Sequence, residues 1–342
     1  MRFIFFLLSF IFLVQKIDAK VVKYGGGDSD IPSRWEWAEE QSKGSNDNIW
    51  IGYSIKQEME KNSRIGSWSQ GKIRPTIAEI LEREISADDQ FKDVAFIFLI
   101  PNPAKPTVFS DLKIGTFDSE IDLQNYPLYW LGSATESESV SWLKKLYKIA
   151  HEQVKKELVC AFGLHTIRES TDELVKIVKT EKSGGLQKDA VFWLGQQGNA
   201  QAFDFLVKTV ESHPSTKIRK AAVFSISQIE SEDAVDAIIE TAKSNSEYKV
   251  RKEAIFWLGQ MAVKKSAESL KNIIYDESTI ELKKHAVFSL SQMKDEQSVD
   301  YLINIAKEHP SLEVRKSAIF WLSETDNDKA LEVLVGILRE KR

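Results

Sequence analysis

Five histidines, one cysteine and a recurring Lys–Phe–Gln set are the side chains of this 342-residue chain whose types and spacing could do chemistry. A metal site needs imidazoles, thiolates or carboxylates converging at short spacing, and acid–base catalysis needs a titratable pair within reach. His151, His165, His213, His285 and His309 offer neither, because no two share metal-ligand spacing on one helix. His213-Pro214-Ser215 and His309-Pro310-Ser311 stand 96 residues apart and mark the same turn of a repeating unit. All five lie beyond residue 120, so a histidine-based site confined to the preceding segment is excluded. Cys160 occupies a place where its equivalents carry Phe and reads as a smaller apolar side chain, and one cysteine makes no disulfide framework. Asp28 and Asp30, with Trp35, Trp37 and Trp50, are the ingredients of a metal or carbohydrate platform, against a plainer reading as linker and small core. Gly25-Gly26-Gly27 lacks the preceding strand and following helix that a phosphate loop requires. No cofactor is expected.

The Lys–Phe–Gln set differs because the chain writes it repeatedly. Val250 to Gln260 reads Val-Arg-Lys-Glu-Ala-Ile-Phe-Trp-Leu-Gly-Gln, and relatives of it begin at Val154, Leu186, Ile218, Leu282 and Val314, always 32 residues apart. A fixed period of this size is the signature of a repeat array. At about 100° per residue, Val250, Ala254, Leu258 and Met261 fall on one side of a helix and form its core face. The third, seventh and eleventh places fall opposite. They are Lys188, Phe192 and Gln196; Lys220, Phe224 and Gln228; Lys252, Phe256 and Gln260; Lys284, Phe288 and Gln292; and Phe320 of the last unit. These are the candidate partner-binding residues. Stacked units would align them as three ladders, serving either as packing between units or as a groove, since an exposed aromatic row exceeds what monomers tolerate.

The elements that position these ladders are two helices per unit. The second is seen at Ala234 to Ala242, opening on a small residue (Ser170, Ala202, Ala234, Ser266, Ser298, Ala330) with an aliphatic one four places on (Leu174, Leu206, Ile238, Leu270, Leu302, Leu334). Small residues permit close helix approach and the aliphatic one fills the layer between. The eighth place of the first helix alternates Trp130, Ala161, Trp193, Ser225, Trp257, Ser289, Trp321, which reads as interlayer packing with an ancestral unit of 64 residues. The second place is mostly basic (Lys155, Arg219, Arg251, Lys283, Arg315), with Glu211, Glu247 and Glu308 nearby, and predicts ion pairs between units. An earlier, shorter unit is read at Leu128-Tyr129-Trp130-Leu131-Gly132 with Ser139 and Leu143, giving about seven units.

Val250-Arg251, Ala254, Leu258-Gly259 and Ala267…Leu270, with their equivalents, resemble the HEAT-like α-solenoids, in the variant called phycobilisome-lyase-type repeats. The resemblance covers two thirds of the chain, and Ala190 to Gln196 is similar to the signature of exported bacterial HEAT repeat proteins. It implies a mostly α fold: an α-solenoid of about seven HEAT-like helix pairs, with the Lys–Phe–Gln helices on the concave, usual binding face. It implies no activity. In the lyases such repeats hold a linear tetrapyrrole, but nothing beyond the scaffold matches; deoxyhypusine hydroxylase uses repeated His-Glu pairs for two irons, and here His151-Glu152 stands alone.

Before the array, residues 20–120 read as a small α+β domain, leaving 121–342 to the solenoid. Ile49 to Ile55 and Asp93 to Ile100 read as strands, Val108 to Ile114 as another, Trp35 to Glu40 as helix, and Thr76…Glu79 as a capping box. Phe3 to Val14 is too short an apolar run for a membrane span and fits a secretory signal cleaved after Ala19. An exported protein, periplasmic or secreted, with no stable span after cleavage, is expected. Net charge of −5 gives no electrostatic reason for nucleic acid. The main expectation is a non-catalytic scaffold binding a protein or peptide, with a homodimer through the C-terminal repeat. The alternatives are an enzyme sited in residues 20–120 or at their junction with the array, and a pigment or carbohydrate binder.

Overall fold

A computed structural model describes residues 20–340 except 46, 61–62, 67–73, 86–89, 102–108, 262, 294–295 and 326. The expected signal at 1–19 lies outside the described residues, as does Val108. The chain divides into two compact units, 1–158 and 159–342, and each is built on its own logic.

The first unit is a five-stranded sheet with helices. In chain order it comprises β1 (Val21–Lys23), α1 (Ile31–Ser42), β2 (Ile49–Glu58), α2 (Ile77–Leu81), β3 (Phe91–Ile100), β4 (Asp111–Thr116), β5 (Leu128–Ser133) and α3 (Glu136–Ile149). The sheet order is β1-β5-β2-β3-β4, parallel at β1/β5 and β5/β2 and antiparallel across β2/β3 and β3/β4. The strands expected at Ile49 and Asp93 are β2 and β3, and the Thr76 capping box opens α2, with the Thr hydroxyl accepting from the Glu79 amide at 3.2 Å. Alternate residues of β2 and β3 face two cores. Trp35 of α1 lies edge-on to Phe98 at 5.4 Å, and Tyr53 meets Ser139 of α3 at 2.9 Å between hydroxyls. On the other face Trp50, Ile97 and Trp130 pack with α2.

One expectation is overturned here. Leu128-Tyr129-Trp130-Leu131-Gly132 is not the helix of an early repeat but strand β5, hydrogen-bonded in parallel on both sides. A strand covered on both faces reads as a continuous apolar run instead of alternating, so its sequence imitates a buried helix. Gly132 takes φ +85°, a backbone region favouring glycine, and Arg34 Nη1 donates to the Leu131 and Ser133 carbonyls at 2.8 Å each. The sheet unit therefore runs past residue 120, and Ser139 and Leu143 sit on α3, which has no repeat helix before it.

The array consists of six pairs. They are α4 (Glu152–Gly163) with α5 (Arg168–Thr180), α6 (Gly184–Gln197) with α7 (Ala200–Ser212), α8 (Thr216–Ser227) with α9 (Glu232–Ser244), α10 (Tyr248–Met261) with α11 (Lys264–Asp276), α12 (Ile280–Ser291) with α13 (Glu296–Glu308), and α14 (Leu312–Ser323) with α15 (Asp328–Glu340). The small residues opening the second helices are fully buried from Ser170 to Ala330, as are Leu174, Leu206, Ile238 and Leu270 four places on. Val250, Ala254 and Leu258 are likewise buried, so the core face follows the helical period. No helix among the described residues is long and apolar enough to cross a membrane.

The basic second place does more than form the expected ion pairs. Three of the basic side chains, and Gln187 at the same place, reach back to the free carbonyls ending the preceding second helix: Gln187 Nε2 to Val178 O (3.1 Å), Arg219 Nε to Val210 O (2.7 Å), Arg251 Nε to Ala242 O (3.2 Å), Lys283 Nζ to Tyr275 O (2.6 Å). The last turn of a helix leaves four carbonyls unpaired and carries partial negative charge, which a cation satisfies. Ion pairs between units are formed as well, Arg219 to Glu247 at 3.4 Å and Arg251 to Glu277. Both partners belong to the loop before the following unit's first helix.

Candidate partner-binding surface

First helices of successive pairs, α6, α8, α10, α12 and α14, pack on one another far more extensively than the second helices do. Two residue pairs explain the closeness. A Cβ added to Gly195 would lie 2.7 Å from Ser225 Cβ, and one added to Gly259 would lie 2.5 Å from the Ser289 carbonyl oxygen. Backbones touch there because neither side carries bulk. At the interfaces between these, tryptophan fills the space: Trp257 lies 4.9 Å from Phe224, and Trp321 lies 4.9 Å from Phe288. The alternation of large and small at the eighth place is thus an alternation of two interface types, repeating every second unit.

The Lys–Phe–Gln residues emerge on the solvent side of this layer. Phe192 is 37% exposed and Phe320 54%, while Phe224, Phe256 and Phe288 are half-buried. None of the five rings is closed off between layers. Phe192 stacks on Phe224 at 6.4 Å and 11°, and Phe256 lies edge-on to Trp257 at 5.2 Å. Trp193, Trp257 and Trp321, read from sequence as packing alone, are half-buried and belong to the same aromatic band. Their place on the helix, between core face and ladder face, was the available signal.

Polar residues frame the band. Gln196, Gln228, Gln260 and Gln292 are exposed, as are Lys188 and Lys252, whereas Lys220 and Lys284 are half-buried. Lys220 pairs with Glu253 of the next first helix at 2.8 Å, and Glu253 also accepts from Trp257 Nε1 at 3.2 Å. Lys217 and Lys249, which the sequence reading did not single out, are exposed one turn earlier on the same face. Gln228 and Gln260 border a cleft of about 830 Å³ whose apolar lining is Ile229, Val235, Met261 and Val263.

The remaining candidates serve structure. His165 Nδ1 donates to Ala161 O at 2.7 Å; His309 is fully buried, with Nε2 donating to Ile274 O at 3.0 Å and Nδ1 accepting from the Ser311 amide at 3.0 Å. His213 Nδ1 accepts the Ser215 amide at 3.1 Å, which fixes its tautomer, and His151 is exposed. Burial, then the neighbouring Lys252 ammonium, holds His285 below the usual imidazole range. Cys160 is half-buried in α4. Trp35 and Trp50 are core residues, Trp50 Nε1 donating to Leu123 O at 2.9 Å, and Asp30 caps α1, so these two tryptophans offer no surface to a carbohydrate. Among the described residues no three His, Cys, Asp or Glu side chains converge to hold a metal ion.

A family model described as HEAT repeats matches residues 171–259, 235–307 and 267–342, which together span half of the chain. The chain belongs to the HEAT repeat family. No curated protein matches the sequence. Among solved structures, this HEAT protein is similar to human deoxyhypusine hydroxylase in complex with glycerol, at 13% identity over 58% of this chain and 85% of that one, TM-score 0.30. It is also similar to the complex of CpcE and CpcF of phycocyanin lyase from Nostoc sp. PCC7120, at 16% identity over 49% and 70%, TM-score 0.33. At those TM-scores neither protein's activity transfers to this chain.

Proposed function

We propose that this HEAT repeat chain is a non-catalytic scaffold that binds a protein or peptide along the face formed by its first helices. The observation supporting the reading is the aromatic band: rings that pack sideways on one another yet keep an open side to water, flanked by exposed Gln and Lys. Aromatic side chains with one apolar face to cover and polar neighbours to fix orientation are what interfaces are enriched in. Phe192 and Phe320 contribute little to the fold because much of each ring is already wet, so replacing both by Ser tests docking without testing folding. The expected result is loss of a co-purifying partner, identified by mass spectrometry, with the helical circular dichroism spectrum retained. Undiminished capture by the double variant, and by a Phe224, Phe256 and Phe288 to Ser triple variant that still folds, would overturn the reading. We also place the protein in an exported compartment, on the basic start and twelve-residue apolar run at Phe3 to Val14; an intact mass beginning at Met1 in the mature protein would count against cleavage.

A further inference from the structure

From α6 to α14 charge is sorted by helix type, whereas α4 and α5 each carry equal numbers of both signs. The first helices α6, α8, α10, α12 and α14 carry eleven Lys or Arg against four Asp or Glu. The second helices α7, α9, α11 and α13 carry six against eleven. In a chain of net charge −5, the helices that bear the aromatic band are therefore net basic. Four of the eleven, Arg219, Arg251, Lys283 and Arg315, are spent on carbonyls at helix ends. Lys188, Lys217, Lys249, Lys252 and Lys316 remain exposed, Lys220 pairs across to Glu253 of the next first helix, and Lys284, half-buried, pairs with Glu281 of its own helix at 3.7 Å.

Resting on the docking reading above, we propose that the occupant of this face is an extended acidic segment of a protein, carrying apolar anchor side chains about six residues apart. The charge follows from complementarity, since a like-charged segment would meet several kcal/mol of repulsion on the same path. The spacing follows from the alternation of interfaces. Phe224 with Trp257 and Phe288 with Trp321 form the same arrangement two units apart, both at 4.9 Å. Packed helices lie about 8–10 Å apart, so equivalent ring pairs are separated by roughly 16–20 Å along the array. An extended chain covers about 3.3 Å per residue, so five or six residues bridge them. The exposed Gln row between them supplies both donors and acceptors to a peptide backbone, which presents one of each per residue. In that row Gln228 and Gln292 Nε2 donate to the hydroxyls of Ser227 and Ser291, whereas Gln196 and Gln260 follow glycine.

The test uses the full chain and fluorescein-labelled synthetic peptides read by polarisation. A twelve-residue peptide with two tryptophans six residues apart and glutamates elsewhere is expected to bind. Moving the tryptophans to three residues apart should weaken it about tenfold, and replacing glutamates by lysines should abolish it. Charge reversal of Lys188, Lys217, Lys249 and Lys252 to Glu, all exposed and outside the core, should also abolish binding with the circular dichroism unchanged. Raising salt from about 50 to about 500 mM should weaken it at least tenfold, because exposed charges are screened over a few ångström there. Equal binding of the lysine peptide, or of the charge-reversed protein, overturns the proposal, as does an oligonucleotide that competes as well as the acidic peptide. If no peptide binds while the Phe192 and Phe320 to Ser variant still loses its natural partner, the acidic assignment fails and the docking face stands.

Discussion

At the scale of single residues, the array is governed by what fits between neighbouring first helices. Glycine inside a helix ordinarily costs about 1 kcal/mol relative to alanine, so Gly-to-Ala changes tend to stabilise. At Gly259 steric contact decides the opposite sign, because the new Cβ would lie 2.5 Å from the Ser289 carbonyl oxygen and 3.0 Å from its Cβ. Gly259→Ala is expected to lower urea stability by about 1–3 kcal/mol. Gly336→Ala on α15, where no atom stands within 4 Å, is expected to raise it by up to about 1 kcal/mol. The two together separate packing from propensity. Histidine sets a pH dependence. His285 and His213 are both held below the ordinary imidazole value of 6.5, each first by burial. Depressed imidazoles bind fewer protons folded than unfolded, so stability is full above about pH 6.5 and falls as pH drops below it. Thermal midpoints measured from pH 7.5 to 5 should decline, and His285→Gln should flatten the decline.

At the scale of elements, the joints between pairs depend on side chains that cap helix ends. Arg219 donates to Val210 O at 2.7 Å and Asn245 Oδ1 at 2.8 Å and pairs with Glu247, tying the end of α7 to the loop before α10. Arg219→Ala removes the charged donor that these acceptors share, leaving Val210 O only the 3.4 Å bond from Asn245 Nδ2, and is expected to cost about 1–3 kcal/mol by urea titration. Lys265→Ala, which removes a solvent-exposed pair with Asp236, should leave the midpoint unchanged. How much of this was legible in the sequence follows the same division. Helices with a buried stripe declared themselves: Val250, Ala254 and Leu258 lie where the 3.6-residue period put them, and the Thr76…Glu79 box opens α2 as read. Strand β5 did not, because Leu-Tyr-Trp-Leu-Gly shares its letters with the first-helix motif and only its hydrogen-bonded neighbours make it a strand. The second-place arginines were legible as cations but not as caps, since their acceptors lie about nine residues back on another helix. Of the surface, the ladder residues were legible and the tryptophans' share in it was not.

At the scale of the whole array, each pair touches its neighbours and little else, so its stability is close to a sum of pair and interface contributions. Helix α15 packs on α14 and α13, and its Leu331 is 61% exposed and Val335 37%. Amide hydrogen exchange is expected to be fastest in α15 and slowest in α8, α10 and α12, which are flanked on both sides. Uniform protection from α6 to α15 would instead indicate that the array opens as one cooperative block.

The two kinds of joint also fix the steps in which such an array can lengthen or shorten. Excising α8 to α11 would bring α6 against α12 and restore a glycine-to-serine seam, whereas excising α8 and α9 alone would set the Trp257 indole against Gly195, where Ser225 now sits. Removing two units therefore keeps the joint that Gly195 already makes, while removing one exchanges it for the kind found where Gly163 meets Trp193.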